Sequence, residues 1–266
     1  MRSNPEPNNI NRFGAMFRQY IFLFLLSAFA IQASAQISLK DSIVKASIVN
    51  IDLGIGLPAG DLADRFGPHL IVGGGYQYKF ENNVLLGGSA HYIFGNTVTQ
   101  EDLLSNMLID DKYVIGNDGL LYTPIAGEQG FDFSVQIGQI TKLFSTNPNT
   151  GVTWLVGIGM LEHAISIYID KPFVPQLSSE YQKGYDRLSN GFMLNQYIGY
   201  YVFNNKNFVN FRAGVEFQEA FTKNRRGIDF DTQQTDDETH FDMMITLKLS
   251  WNLCIFEKPK RRFYIP

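Results

Sequence analysis

The amino-acid sequence predicts an all-β fold, an eight-stranded antiparallel up-and-down transmembrane β-barrel with short periplasmic turns and long extracellular loops. Three observations support this prediction. About eight segments of roughly ten residues alternate apolar and polar side chains, the connections between them are alternately short and long, and their apolar faces are rich in aromatic rings. Alternation with a period of two is typical of strands, and unequal connections at the two ends are typical of outer-membrane barrels.

The last segment shows the alternation most clearly. Every odd position from 241 to 255 is apolar, and we expect these side chains to face lipid: Phe241, Met243, Ile245, Leu247, Leu249, Trp251, Leu253 and Ile255. The even positions include Asp242, Lys248 and Asn252. In a barrel the even face lines the interior.

Seven earlier segments also alternate apolar and polar side chains, some more regularly than others. In order they are "ASIVNIDLGIGLP", "HLIVGGGYQYKF", "VLLGGSAHYIF", "FDFSVQIGQITKLF", "GVTWLVGIGMLEHAISIYI", "GFMLNQYIGYYVF" and "FVNFRAGVEFQEAF". The sixth is apolar on both sides and is the least regular. Each is at least as long as the ~9–11 residues that a tilted strand needs to cross a bilayer.

The connections also alternate. Short polar turns lie at 81–83, 145–150 and 204–207, and long polar stretches lie at 58–68, 95–130, 169–190 and 222–240. The longest stretch contains "DKYVIGNDGLLYTP", whose two arms of about four and six residues are too short to cross a membrane. We expect a hairpin that stands above the membrane.

A soluble barrel is the alternative, since it also alternates but buries its apolar face. The polar face here favours a narrow interior, because it combines a few charges with many small residues: Gly54, Gly56, Gly73, Gly75, Gly87, Ser89, Gly214 and Ser250. An eight-stranded barrel has an interior just wide enough for side chains to fill it. Aromatic residues on the apolar face suit the two membrane interfaces.

The N-terminal region is typical of a secretory signal peptide. Arg12 and Arg18 precede an apolar run at 21–31, and an A-x-A site ends at Ala35, so we expect cleavage before Gln36. The predicted organisation is a signal peptide at 1–35, a periplasmic segment at 36–46, the barrel at 47–256 and a short basic and aromatic tail at 257–266. An uncleaved membrane helix is the alternative, and Met16 is an alternative start.

Charge and cysteine content argue against a nucleic-acid-binding protein and against a fold held by disulfides. The formal charge is −4, and residues 1–35 carry three arginines and one glutamate, so the remainder is near −6. This balance argues against a nucleic-acid partner. The single cysteine, Cys254, has no partner for a disulfide.

A charge network is predicted inside the barrel. Lys248 lies on the polar face near the middle of the last strand, and a lone buried ammonium group is costly. Glu216 on the preceding segment and Asp52 on the first are candidate partners, and Arg212 and Asp242 are candidate members of the same network. A hydrated lysine in a wet interior is the alternative.

The sequence predicts no catalytic, cofactor or metal site. His240 and Asp242 share a face, as an orienting pair requires, but no serine is tied to a histidine by spacing. The stretch "TDDETH" at 235–240 lacks the glycine and ligand spacing of a calcium loop. Eight strands leave no aqueous channel.

Several stretches carry a resemblance to a known group. "GIGLPAGDLADRFGPHLIVGGGYQYKF", "KGYDRLSNGFMLNQYIGYYVF", "VNFRAGVEFQEAFTKNRR" and the ending "RRFYIP" resemble small outer-membrane β-barrel proteins of the Bacteroidota. The chain is also similar to the broader eight-stranded class that includes OmpA and OmpX, although no peptidoglycan-binding domain follows the barrel. This resemblance implies the fold, export to the cell outer membrane, and contact with outer-membrane lipid and lipopolysaccharide, and many members of the group have no assigned activity.

The function that we predict from the sequence is that of a non-enzymatic structural or adaptor subunit, which presents its loops to a protein partner or belongs to a larger outer-membrane assembly. The predicted contact residues lie in the third long loop: Phe173, Val174, Leu177, Tyr181 and Tyr185. A loop packed over the barrel mouth is the alternative interpretation of the same residues. The alternative functions are a lipid A-modifying barrel enzyme and, third, a small channel.

Overall fold

The computed structural model describes residues 43–100, 103–169, 174–178, 180–204 and 210–256. The predicted signal peptide at 1–35 and the predicted tail at 257–266 lie outside the described residues. Within the described ranges, no helix combines the length and the apolar character needed to cross a bilayer.

Eight long antiparallel strands form a closed barrel in which each strand pairs with its neighbours in the chain and the last pairs with the first. The barrel strands are β1 (Ala46–Gly60), β2 (His69–Lys79), β3 (Val84–Gly95), β6 (Ile125–Lys142), β7 (Gly151–Tyr168), β8 (Ser189–Val202), β9 (Phe211–Asn224) and β10 (Thr239–Phe256). The predicted fold class is confirmed. Strand β6 begins six residues earlier than the alternation predicts.

The connections differ in length at the two ends of the barrel. At one end lie short turns; at the other lie loop 1 (61–68), loop 2 (96–124), loop 3 (169–188) and loop 4 (225–238). The hairpin predicted in loop 2 forms as β4 (Val114–Ile115) and β5 (Leu121–Tyr122), which pair only with each other. Loop 1 contains a short 3-10 helix, Asp61–Asp64, which follows Gly60 at φ +61°.

The strand registers fix the width of the barrel. Successive pairs lead once around the ring through Ala46, Lys79, Leu85, Gly138, Leu155, Tyr197, Glu216, Thr246 and Gly56. The path returns to β1 ten residues from its start, and this offset is the shear number of the barrel. Strands of such a barrel are tilted, and the interior is filled by side chains.

Two aromatic girdles mark the apolar belt on the outer surface. On the wall formed by β9 and β10, Phe211 pairs with Trp251 in the lower girdle, and Phe221 pairs with Phe241 in the upper girdle. The girdles are ten residues apart, which is ~33 Å along a strand. At a tilt of about 40° this becomes ~25 Å, the height of the apolar band of an outer-membrane barrel. All eight predicted lipid-facing residues of β10 lie on this outer face.

Glycines let neighbouring strands approach closely on the wall formed by β2 and β3. A Cβ atom on Gly73 would lie 2.2 Å from the backbone oxygen of Ala90. Any larger residue at position 73 would therefore force the two strands apart. The glycine-rich run of β2 thus reflects the packing of the sheet.

Candidate functional site

The middle of the barrel interior holds a buried ion pair. Lys248 Nζ lies 2.6 Å from Glu216 Oε2, and both side chains are 2% exposed. Asn195 Nδ2 donates to the other oxygen of Glu216 at 3.2 Å. The Lys248 ammonium also lies 6.0 Å from the centre of the Tyr197 ring. The carboxylate is therefore bonded through both oxygens.

Two glycines lie opposite Lys248 on the neighbouring strands. Lys248 is paired with Gly214 on β9 and with Gly54 on β1, so its long side chain is flanked by positions without a side chain. Glu216 is paired with Thr246, one step further along the same face of the sheet. Adjacent inward-facing positions on neighbouring strands thus bring the two charges together.

Asp52 has other partners. Asn50 Nδ2 donates to Asp52 Oδ2 at 2.6 Å, and His91 Nε2 lies 3.0 Å from the same oxygen. The other ring nitrogen of His91 lies 2.8 Å from Asp132 Oδ1. His91 therefore bridges two carboxylates on different strands, beside the Lys248–Glu216 pair but bonded separately.

Arg212 lies lower in the interior. It donates to Gln77 Oε1 at 3.1 Å, and its guanidinium carbon lies 5.0 Å from the centre of the Tyr197 ring. Tyr197 thus has both cations against its ring, Arg212 and Lys248.

Asp242 does not belong to this network, which corrects the prediction made from its shared face. It lies six residues nearer the loop end than Lys248, and there it accepts hydrogen bonds from Arg65 at 2.9 Å and from Thr222 at 2.5 Å. His163 Nε2 lies 2.8 Å from its second oxygen. Arg65 comes from loop 1, so this carboxylate attaches the loop to the barrel wall.

His240 and Asp242, which the sequence suggested as an orienting pair, bond to different partners. His240 Nε2 contacts Asp236 at 2.8 Å on the rim, whereas Asp242 is buried among other partners. The histidine that does contact Asp242, His163, is 1% exposed, and the Phe66 ring packs edge-on 5.6 Å away. Among the described residues, no group of three or more His, Cys, Asp or Glu side chains is arranged to hold a metal ion.

A cleft of about 610 Å³ lies between loops 2, 3 and 4. Its lining combines aromatic, apolar and amide side chains: Asn106, Met107, Pro175, Gln176, Tyr181, Tyr185, Ile228, Phe230 and Gln233. Tyr181 and Phe230 are 56% and 40% exposed. Apolar walls with a few polar groups are the ordinary composition of a binding site.

Ion pairs and close packing hold the walls of the cleft in place. Arg187 donates to Asp231 at 2.6 Å, and Arg226 forms a bidentate pair with Asp186, which raises the pKa of the Arg226 guanidinium. Burial raises the pKa of the neighbouring Asp229 carboxyl. These contacts join loop 3 to loop 4.

One glycine allows the aromatic wall of the cleft to form. A Cβ atom on Gly184 would lie 2.2 Å from the ring of Phe230, and the Phe230 amide donates to the Gly184 carbonyl at 2.9 Å. The Phe230 ring then packs edge-on against Tyr185 at 5.6 Å. Asn106 completes this wall by donating to the Phe230 carbonyl at 2.9 Å.

The predicted contact residues of loop 3 divide into two groups. Val174 and Leu177 are nearly fully buried in the apolar core that closes the barrel mouth, so the prediction that they are contact residues is wrong, whereas Tyr185 is also buried but lines the cleft. Tyr181 is exposed on the cleft, and Phe173 lies outside the described residues. The sequence shows that loop 3 contains apolar residues. It does not show which of them pack in the core and which are exposed.

Comparisons with known proteins give only distant likenesses. No protein-family model and no curated protein matches the chain. The crystal structure of Neisserial surface protein A has a TM-score of 0.42 and 9% identity, and the match covers 78% of this chain and 96% of that one. Ail, the attachment invasion locus protein of Yersinia pestis, crystallised with the heparin analogue sucrose octasulfate, has a TM-score of 0.36 and 11% identity, over 79% and 99% of the two chains. The fold assignment rests on the strand registers.

Proposed function

We propose that this chain is a non-enzymatic outer-membrane barrel that presents the cleft between loops 2, 3 and 4 to a protein partner. The observation that carries the proposal is the cleft itself, with Tyr181, Ile228 and Phe230 exposed on walls that ion pairs hold in place. Exposed apolar side chains on a rigid frame are typical of interaction sites.

The proposed location is the outer membrane, with the short turns in the periplasm and the loops outside the cell. Two aromatic girdles about 25 Å apart support it, since that spacing matches the apolar band of such barrels. Outer-membrane lipid would surround the belt, with lipopolysaccharide in the outer leaflet against the upper girdle. The signal peptide supplies the route of export, and its cleavage before Gln36 stays a prediction.

The filled interior supports a structural role over transport. Lys248, Glu216, Arg212 and Tyr197 occupy the middle of the barrel and are 3% exposed or less. A solute would have to displace bonded side chains to pass. This agrees with the narrow interior expected of eight strands.

Site-specific photocross-linking tests the partner-binding role. A benzoylphenylalanine placed at Tyr181 should cross-link to one protein in living cells, and Phe230→Ala should weaken the product. Tyr168 is a matched control, because it is equally exposed, at 60%, but lies on the outer wall of β7. Equal products from Tyr181 and Tyr168, or none from Tyr181, would contradict the proposal.

Mass spectrometry of lipid A tests the absence of catalysis. Deletion of the gene should leave the lipid A species unchanged, and so should His240→Ala, which alters the rim without touching the buried clusters. A lipid A species that disappears in both strains would instead support an enzyme.

A further inference from the structure

One polar side chain lies in the middle of the apolar belt and faces outward. Gln196 on β8 is exposed, while Asn195 and Tyr197 beside it point into the barrel. Among the described residues, the Gln196 amide has no hydrogen-bond partner. Its outward-facing neighbours on β8 are Leu194 and Ile198.

The registers place Gln196 between the two girdles. It is paired with Phe217 on β9, which lies six residues above Phe211 of the lower girdle and four residues below Phe221 of the upper girdle. On its other side it is paired with Val156 of β7, which is also apolar and exposed. The amide therefore lies near the centre of the bilayer.

A second outward-facing polar residue on this wall, Glu219, lies nearer the membrane surface. Glu219 lies two residues from Phe221, at the level of the upper girdle, where a flexible side chain reaches the headgroups. Gln196 is two residues deeper in the belt, since it is paired with Phe217 and not with Glu219. Lipid at that depth offers neither a donor nor an acceptor.

We infer that Gln196 marks a lateral interface at which two copies of this barrel associate in the membrane. An unpaired amide in hydrocarbon is costly, whereas hydrogen bonds between polar side chains hold membrane segments together. The amide carries both donors and an acceptor, so the same residue from a second copy can accept from its nitrogen and donate to its oxygen at once. A two-fold axis places identical residues opposite one another, which is the arrangement that this self-complementary group requires.

The surface around Gln196 suits such an interface. Val156, Ile158 and Ile198 are 44%, 58% and 55% exposed and surround the amide with apolar side chains. None of these three side chains is charged, and Glu219, which is paired with Leu194, lies nearer the upper girdle, where its carboxylate can reach the headgroups when two copies approach. The interface would then combine one central hydrogen-bonded pair with an apolar rim.

Cross-linking in membranes tests the two-fold arrangement. The background is Cys254→Ser, which removes the single native cysteine, a buried one. Oxidation of Ile198→Cys should give a covalent dimer, because Ile198 lies next to Gln196 on the outer face of β8 and this variant keeps the amide. Val72→Cys is the control, since Val72 is also exposed on the outer wall but lies on β2, four strands away around the ring. It should stay monomeric.

Fluorescence energy transfer between labelled copies in vesicles measures the strength of association. Gln196→Leu should weaken dimerisation about tenfold, the value for a hydrogen bond of 1–2 kcal/mol between membrane segments. The variant should fold normally, because it places an apolar side chain against lipid, and heat-modifiable gel mobility checks this. A monomeric wild type, an equally tight Gln196→Leu dimer, or equal cross-linking through Val72→Cys would overturn the inference.

Discussion

Lys248 and Glu216 give the sharpest test of the barrel interior. Removing only the cation, as in Lys248→Met, leaves the Glu216 carboxylate buried and without its ammonium partner. Breaking a buried pair in this way costs roughly 3–5 kcal/mol. Removing both charges, as in Lys248→Met with Glu216→Gln, should restore most of that loss. The Asn195 amide can still donate to the amide oxygen that Glu216→Gln introduces, and no charge is orphaned.

The same experiment also tests which carboxylate is the partner of Lys248. His91 and Asn50 already bond Asp52, so Asp52→Asn should not rescue Lys248→Met. Leu247→Lys moves the charge one residue, to the lipid face, where it should cost roughly 2–4 kcal/mol and no change at Glu216 should rescue it.

Equilibrium unfolding in urea, with the barrel refolded into lipid vesicles, measures each free energy, and heat-modifiable gel mobility reports the folded fraction. A Lys248→Met variant as stable as wild type would refute the reasoning. Rescue by Asp52→Asn equal to the rescue by Glu216→Gln would refute the assignment of the partner.

The loops and the N-terminus give three further predictions. Asp242→Asn should release loop 1 and speed trypsin cleavage after Arg65 by at least about tenfold. The reason is that a hydrogen bond to a charged group contributes about 1.5–3 kcal/mol. Unchanged cleavage would show that the carboxylate does not anchor the loop. Gly184→Ala should push the Phe230 ring away, which hydrogen exchange would report as faster exchange of the Phe230 amide; unaltered protection would contradict the close packing. N-terminal sequencing of the outer-membrane form should begin at Gln36, and a chain that starts at residue 1 would rule out cleavage.

The outer and inner faces could be predicted from the sequence because the side-chain period of a strand is two. Once Leu247 is assigned to lipid, Lys248 must face the interior, and a shift by one residue would reverse every assignment. The neighbours of β10 also follow from the up-and-down order, which made Glu216 a candidate partner for Lys248.

The clusters near the loop end could not be predicted in this way. Asp242 shares a face with Lys248, and the alternation contains no signal for its contact with Arg65, because loop 1 folds back into the barrel mouth. His163 lies on the inward face of β7, so its burial follows from parity, but its contact with Asp242 depends on the register around the ring. The cleft depends on loop packing for the same reason, and Gly184 is informative only once Phe230 is known to lie against it.

The transmembrane barrel itself is tested most directly by single nitroxide labels along β10. The labels are placed one at a time at positions 246, 247, 249, 250 and 251 in the Cys254→Ser background, in lipid vesicles, and Lys248 is kept because it pairs with Glu216. Collision with oxygen should be frequent at Leu247, Leu249 and Trp251 and rare at positions 246 and 250, because oxygen concentrates in lipid and the interior is filled. A water-soluble nickel complex that reaches the odd positions would show that they face solvent, and would contradict the account.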